Sequence, residues 1–215
     1  LTVVGGAHTS VLDRKCFEDS EHIDVVVRGE GEETMLELLG THLRKKSLEQ
    51  IEGLTLKIDG EINKTKRRAF MDMAMASKVN FKLLPKRFYE GKSINISPNR
   101  GCEWTCRFCE EQIFWGNSVR SIPVERVMAE VDSVIKGKYD YKFITLEDSM
   151  LDLRSNYFLE LAKALSENKK KRLGYCVTRV DTVNEVGLEA AAKAGFFAIL
   201  YGVESASEKV LDKVH

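Results

Sequence analysis

The sequence predicts an α/β fold, and three observations carry that expectation. From Ser93 onward, apolar strand-length runs alternate with amphipathic helical stretches: 94–96, 124–135, 143–146, 157–165, 173–177, 186–194 and 197–201. At the front, residues 1–4 and 23–27 are apolar runs that end on glycine, at Gly5-Gly6 and Gly29-Glu30-Gly31, as short buried parallel strands do. Between these regions Asp59-Gly60 separates two alternating runs, a strong signal for a two-residue hairpin turn.

The elements follow in order. Residues 32–43 place Met35, Leu36, Leu38, Leu39 and Leu43 at near-helical spacing. Strand, connection, strand and helix then make 1–43 the tail of an open α/β domain. Residues 44–92, with the hairpin and the basic run 64–68, read as a connector. Residues 93–215 form repeated βα units, and four strands of this kind predict part of a parallel barrel.

Composition narrows the function. Lysine and arginine total 33 and so do aspartate and glutamate, so no chain-wide electrostatic case for nucleic acid exists. No run approaches the roughly 20 apolar residues that cross a bilayer, and no basic-then-apolar leader opens the chain, so a cytoplasmic protein without a membrane partner is expected. Three of the five cysteines fall between 102 and 109, which is no disulfide framework and points to metal or redox chemistry.

Those three lie in Cys102-Glu-Trp-Thr-Cys106-Arg-Phe-Cys109, directly after a predicted strand. Thiolates so close in sequence can wrap one iron–sulfur cluster from a single loop, and three of them leave one iron open for chemistry. The bland alternative is structural zinc, which normally closes with four protein ligands. No fourth is at hand locally, since the histidines are His8, His22, His42 and His215 and the other cysteines are Cys16 and Cys176. The latter two fall on a predicted helix and strand, where cysteine is a common core residue.

This loop resembles the signature of the radical SAM superfamily, three cysteines spaced by three and two residues with an aromatic before the last, a place that Phe108 fills. The resemblance implies that Cys102, Cys106 and Cys109 ligate a [4Fe–4S] cluster whose fourth iron takes S-adenosylmethionine, and that reductive cleavage gives methionine and a 5′-deoxyadenosyl radical. It implies an electron donor such as flavodoxin or ferredoxin. It also assigns Phe108, Asp148, Arg179, Glu204 and Ser205, most of them at predicted strand ends, to the S-adenosylmethionine site. Two departures are Glu103, where many relatives have proline, and Glu110, where they have a small residue.

The front glycines, ahead of such a core, resemble the end of the cobalamin-binding domain of B12-binding radical SAM proteins. The expected architecture is therefore the C-terminal remnant of an open Rossmann-like cobalamin-binding domain followed by the first part of a (βα) radical SAM barrel. By that resemblance Gly5, Gly6, Gly29, Glu30 and Gly31 face cobalamin. The Asp-x-His-x-x-Gly loop by which some relatives supply a cobalt ligand is not in these residues, and His8 lacks that context. Three readings stay open: a cobalamin-using radical SAM enzyme acting by methyl transfer or ring closure or rearrangement, one with a vestigial front domain, and a non-catalytic zinc or iron–sulfur binding protein. The substrate and the catalytic residues that act on it are not named by the sequence.

Overall fold

The structure, a computed structural model, describes residues 1–137, 139–147, 149–168 and 171–214, with Lys86 described by its backbone alone. The chain forms two compact units, residues 1–72 with 113–115, and residues 73–112 with 116–215.

In the first unit the order is β1 (Val3–Gly5), α1 (Ala7–Val11), α2 (Asp13–Asp19), β2 (Val25–Val27), α3 (Glu32–Leu43), β3 (Leu54–Ile58) and β4 (Glu61–Lys64). β1 pairs parallel with β2, and β3 and β4 add antiparallel strands, in the order β1-β2-β3-β4. The hairpin assigned from the sequence to a 44–92 connector is thus hydrogen-bonded into the front sheet. The reason is its apolar first strand: Leu54 and Leu56 bury against Val25, Val27, Leu38 and Ile51. Asp59 and Gly60 both take positive φ, 50° and 87°, as the tight turn requires.

Helix α3 uses only part of its apolar pattern. Leu38 is fully buried and Met35 packs on the core. Leu36 and Leu43 are 75% and 80% exposed, because with Leu39 they form a separate stripe at i, i+3 and i+7.

A buried charge cluster ties α2 to the sheet. The Asp13 carboxylate, 5% exposed, accepts from Thr55 Oγ1 at 2.6 Å and Lys64 Nζ at 2.8 Å, with Arg28 Nε at 3.6 Å. Burial alone would push the Asp13 carboxyl up, but the Lys64 and Thr55 bonds outweigh it and hold the group below the usual aspartate range.

The second unit runs β5 (Ser93–Ile96), β6 (Asn99–Arg100), the start of α4 (Glu111–Trp115, whose residues 113–115 belong to the first unit), β7 (Arg120–Ser121), α5 (Val124–Lys136), β8 (Phe143–Leu146), α6 (Asn156–Glu167), β9 (Leu173–Arg179), α7 (Glu185–Ala194), β10 (Ala198–Gly202) and α8 (Glu208–Val214). Among the described residues β5, β8, β9 and β10 make an all-parallel sheet in the order β10-β9-β8-β5. This is the α/β class that the sequence predicts.

The helices bury one face each. α5 contributes Val127, Val131 and Val134, and α6 contributes Phe158, Leu161 and Leu165, against Ile94, Ile96, Ile144, Leu146 and Cys176 of the strands. Both α6 and α7 start on side-chain caps, Ser155 accepting from Phe158 N and Asn184 from Gly187 N, and α7 ends on Gly195 at φ 97°. Cys16 sits half-buried on α2, and Cys176 is buried on β9. Among the described residues no helix is long and apolar enough to cross a membrane.

Two outcomes follow from this packing. A Cβ at Gly187 would lie 2.3 Å from the Leu153 carbonyl oxygen, so Gly187→Ala, which in an exposed helix stabilises by about 1 kcal/mol, here destabilises by about 1–3 kcal/mol through overpacking. Urea unfolding measures the sign. Asp13→Ala leaves Arg28 buried beside Lys64 without its carboxylate and costs about 3 kcal/mol near neutral pH. Because the folded pKa is depressed, the Asp13 contribution is complete above the unfolded value of about 3.9 and is lost as pH falls through the lower folded value. The gap between wild type and variant, followed by urea unfolding from pH 7 to pH 2, closes only at the acid end.

Candidate functional site

The cysteine loop leaves the sheet at the C-terminal end of β5. Its neck is closed by a two-residue antiparallel ladder, Asn99 opposite Ser121 and Arg100 opposite Arg120. Ile122 N donates to Pro98 O at 2.8 Å, and Tyr157 Oη of α6 donates to Ile122 O at 2.7 Å. Gly101 turns the chain at φ 88° just before Cys102, a conformation that side chains rarely adopt. Inside the loop the Cys106 carbonyl accepts from Cys109 N and from Gln112 Nε2, each at 3.0 Å. Arg107 N donates to Val214 O at 3.0 Å, which anchors the loop to α8.

Cys102, Cys106 and Cys109 are free thiols, each half-buried. Burial pushes the Cys102 thiol up, and Cys106, Cys109 and Glu111 push it further, while a backbone hydrogen bond near Trp104 opposes them. Cys102 therefore shares one electrostatic neighbourhood with Cys106 and Cys109.

A cavity of about 450 Å³ opens on this loop. It is lined by residues 104–106 of the loop, 179–181 after β9, Gly202, Val203 and Ser205 after β10, and Leu211 of α8. That volume suits a small organic cofactor, for which pockets run to about 300–1,000 Å³. The turn after β9 is rigid: Thr178 Oγ1 donates to Leu151 O at 2.7 Å and lies 2.8 Å from Thr182 Oγ1, and Arg179 N donates to Thr182 Oγ1 at 3.2 Å.

On that turn Arg179 meets Asp181, Cys106 and Trp104. Its Nε and Nη2 donate to the two carboxylate oxygens of Asp181, each at 2.8 Å, its Nη1 donates to Cys106 Sγ at 3.1 Å, and its Cζ stands 4.1 Å over the Trp104 ring. The Asp181 bonds, and then the charge of Cys106, hold the guanidinium firmly protonated.

The structure thus brings Cys106, Arg179 and Ser205 to one cavity. Glu204 lies beside it, exposed and in the left-handed region at φ 61°. Phe108 is 55% exposed and does not line the cavity. Asp148 lies outside the described residues. Glu103 and Glu110 are exposed, so water screens both departures from the family pattern. Two residues that the sequence reading left out are Trp104 and Asp181. Their signal was positional: an aromatic between the first two cysteines of the motif, and an acid two places beyond Arg179.

In the first unit Gly5 ends β1, Gly6 follows it and Gly29 follows β2, and parallel pairing brings these strand ends to one edge. Gly29 lines a cavity of about 340 Å³ with Ser10, Arg28, Lys64, Arg67 and Phe114. Glu30 Oε2 accepts from Met71 N at 2.8 Å, and Gly31 is the N-cap residue of α3.

The residues present fit a cluster. The donors are three soft thiols, and among the described residues no three metal-binding side chains gather closely enough to hold a single ion. A cluster instead takes each thiolate on a separate iron. The buried Trp104 Nε1 has no protein hydrogen-bond partner, a donor left over beside the cavity.

Residues 96–215 match the Radical SAM superfamily. An uncharacterized methyltransferase of Pyrococcus horikoshii is 28% identical over 99% of this chain and 47% of its own length. An anaerobic magnesium-protoporphyrin IX monomethyl ester cyclase of Cereibacter sphaeroides is 28% identical over 99% of this chain and 36% of its own. Among solved structures, the cobalamin-dependent S-adenosylmethionine radical enzyme OxsB, with aqua-cobalamin and S-adenosylmethionine bound, superposes with a TM-score of 0.81 at 19% identity, over 99% of this chain and 32% of that one. The chain spans less than half the length of these relatives. With more than half of its residues matched by the superfamily, and with the three-cysteine loop at the end of the first parallel strand, the chain belongs to the radical SAM superfamily.

Proposed function

We propose that this chain is the cofactor-cleaving part of a radical SAM enzyme that works with cobalamin, in methyl transfer or in ring closure or rearrangement. The observation that carries the reading is the cavity of about 450 Å³ that reaches Cys106 at the C-terminal rim of the parallel sheet. Cys102, Cys106 and Cys109 would hold three irons of a [4Fe–4S] cluster. When bound, that cluster supplies the electron that cleaves the sulfonium C–S bond of S-adenosylmethionine.

The chain's own residues do the rest. Val180, Val203 and Leu211 would give the bound cofactor apolar contact surface in the cavity. The Ser205 hydroxyl and the Trp104 indole N–H offer polar contacts to the cofactor. By the family resemblance Glu204 would meet its nucleoside or methionine part and Asp148 the cofactor or substrate, while Phe108 fills the aromatic place of the cysteine motif outside the cavity. In the first unit Arg28, Lys64 and Arg67 around Gly29 give a cationic cavity suited to the phosphate of a cobalamin nucleotide tail. A flavodoxin or ferredoxin is the expected electron donor.

Anaerobic reconstitution of the chain should give a brown protein with about four irons, which after reduction converts S-adenosylmethionine to 5′-deoxyadenosine, measured by chromatography. Cys102→Ala, Cys106→Ala and Cys109→Ala each abolish colour and product, whereas Cys16→Ala and Cys176→Ala keep both. A colourless wild-type protein holding one tight zinc ion contradicts the reading.

A further inference from the structure

We infer that Arg179 is a positioning residue whose N–H···S hydrogen bond to Cys106, oriented by Asp181, sets the reduction potential of the cluster that Cys106 holds. The inference rests on the cluster reading above and assigns Arg179 a task that acts through the cysteine sulfur.

A guanidinium that grips a carboxylate through Nε and Nη2 must aim its remaining nitrogen away from that carboxylate, because the group is a rigid planar fork. In Arg179 that remaining nitrogen is Nη1, and it lies 3.1 Å from Cys106 Sγ. Asp181 occupies the other side of the fork with two bonds of 2.8 Å, which fixes the direction of Nη1. Trp104 covers one face of the guanidinium at 4.1 Å, a cation–π arrangement. The Thr178–Thr182 turn holds the backbone beneath. Every degree of freedom that could carry Arg179 off the sulfur is therefore opposed by a named contact.

The electrostatic consequence has a sign. One electron from a flavodoxin- or ferredoxin-type donor, which is oxidised in turn, adds one negative charge to the cluster. A cation and a hydrogen bond at a ligand sulfur favour that reduced form and raise the potential. Asp181, two residues away and paired with the same cation, opposes the effect. Removing Arg179 and neutralising Asp181 must then shift the potential in opposite directions. A merely structural pair would not do this, because breaking it from either side would give similar damage.

The test is a potentiometric titration of the reconstituted chain, followed by the electron paramagnetic resonance signal of the reduced cluster, without S-adenosylmethionine. Arg179→Met should make the cluster roughly tenfold harder to reduce, a negative shift of about 59 mV for one electron. Asp181→Asn, whose amide oxygen can still receive Nε, should shift the potential positively. Arg179→Lys, which keeps the charge but loses the fork, should fall between wild type and Arg179→Met. Iron content reports assembly, and if Arg179→Met fails to assemble, Asp181→Asn and Arg179→Lys still decide the sign. Unshifted potentials, or shifts of one sign in both arms, overturn this inference alone. A wild-type chain that takes up no cluster overturns the functional reading and this inference with it.

Discussion

Parallel pairing of β5, β8, β9 and β10 is the constraint on which the site depends. Parallel neighbours must all point the same way, so each is reached through a helix on the sheet's face and each ends at the same rim. That is how Cys106 and Arg179, 73 residues apart, come to share a hydrogen bond. Register then sets the detail: Gly202 of β10 lies directly beside Arg179 of β9, so the segments that follow both strands border one cavity. The buried valines of α5 and the aromatic and leucine face of α6 keep the strands in place, and Gly187 lets α7 approach the Leu153 backbone closely enough to seal the layer.

Charge is arranged on top of that frame with little slack. In the second unit Asp181 faces Arg179, and in the first Asp13 sits between Arg28 and Lys64. The two pairs differ in use. Asp13 is enclosed and fixes the front sheet to α2, whereas Asp181 stands at the rim of a cavity, where its partner also touches a cysteine sulfur. A carboxylate that orients a cation at a sulfur stabilises one charge state over another, and that gives the second pair chemical meaning beyond packing.

Much of this was legible in the sequence where a single period dominates. The strand at 143–146 and the helix ending at Ala194 are found with those bounds, because Phe143 to Leu146 is a compact apolar run and Gly195 ends the helix in a left-handed turn. The cysteine loop was legible because its three cysteines lie within eight residues of one another. Less was legible where distant partners decide. The ladder of β6 and β7 has only two residues in each strand, below the reach of any periodicity. The pairing of β3 with β2 depends on Leu54 and Leu56 finding Val25 and Val27, and that is tertiary information. The apolar count of α3 overstated its burial, since Leu36, Leu39 and Leu43 share a face that the unit's core does not use. Phe108 fits a family pattern by position, yet its exposure is settled by how the loop turns. Trp104 and Asp181 gain their roles only from the fold that sets them against Arg179.

The central claim is that three thiolates on one rim loop leave a single iron open to S-adenosylmethionine. Electron–nuclear double resonance on the reduced, reconstituted chain, with S-adenosylmethionine labelled in its amino nitrogen and carboxylate oxygens, tests it most directly. The account predicts hyperfine coupling from both labels to one iron site, lost when any of Cys102, Cys106 or Cys109 is replaced. A reduced cluster that shows no coupling to either label would contradict it.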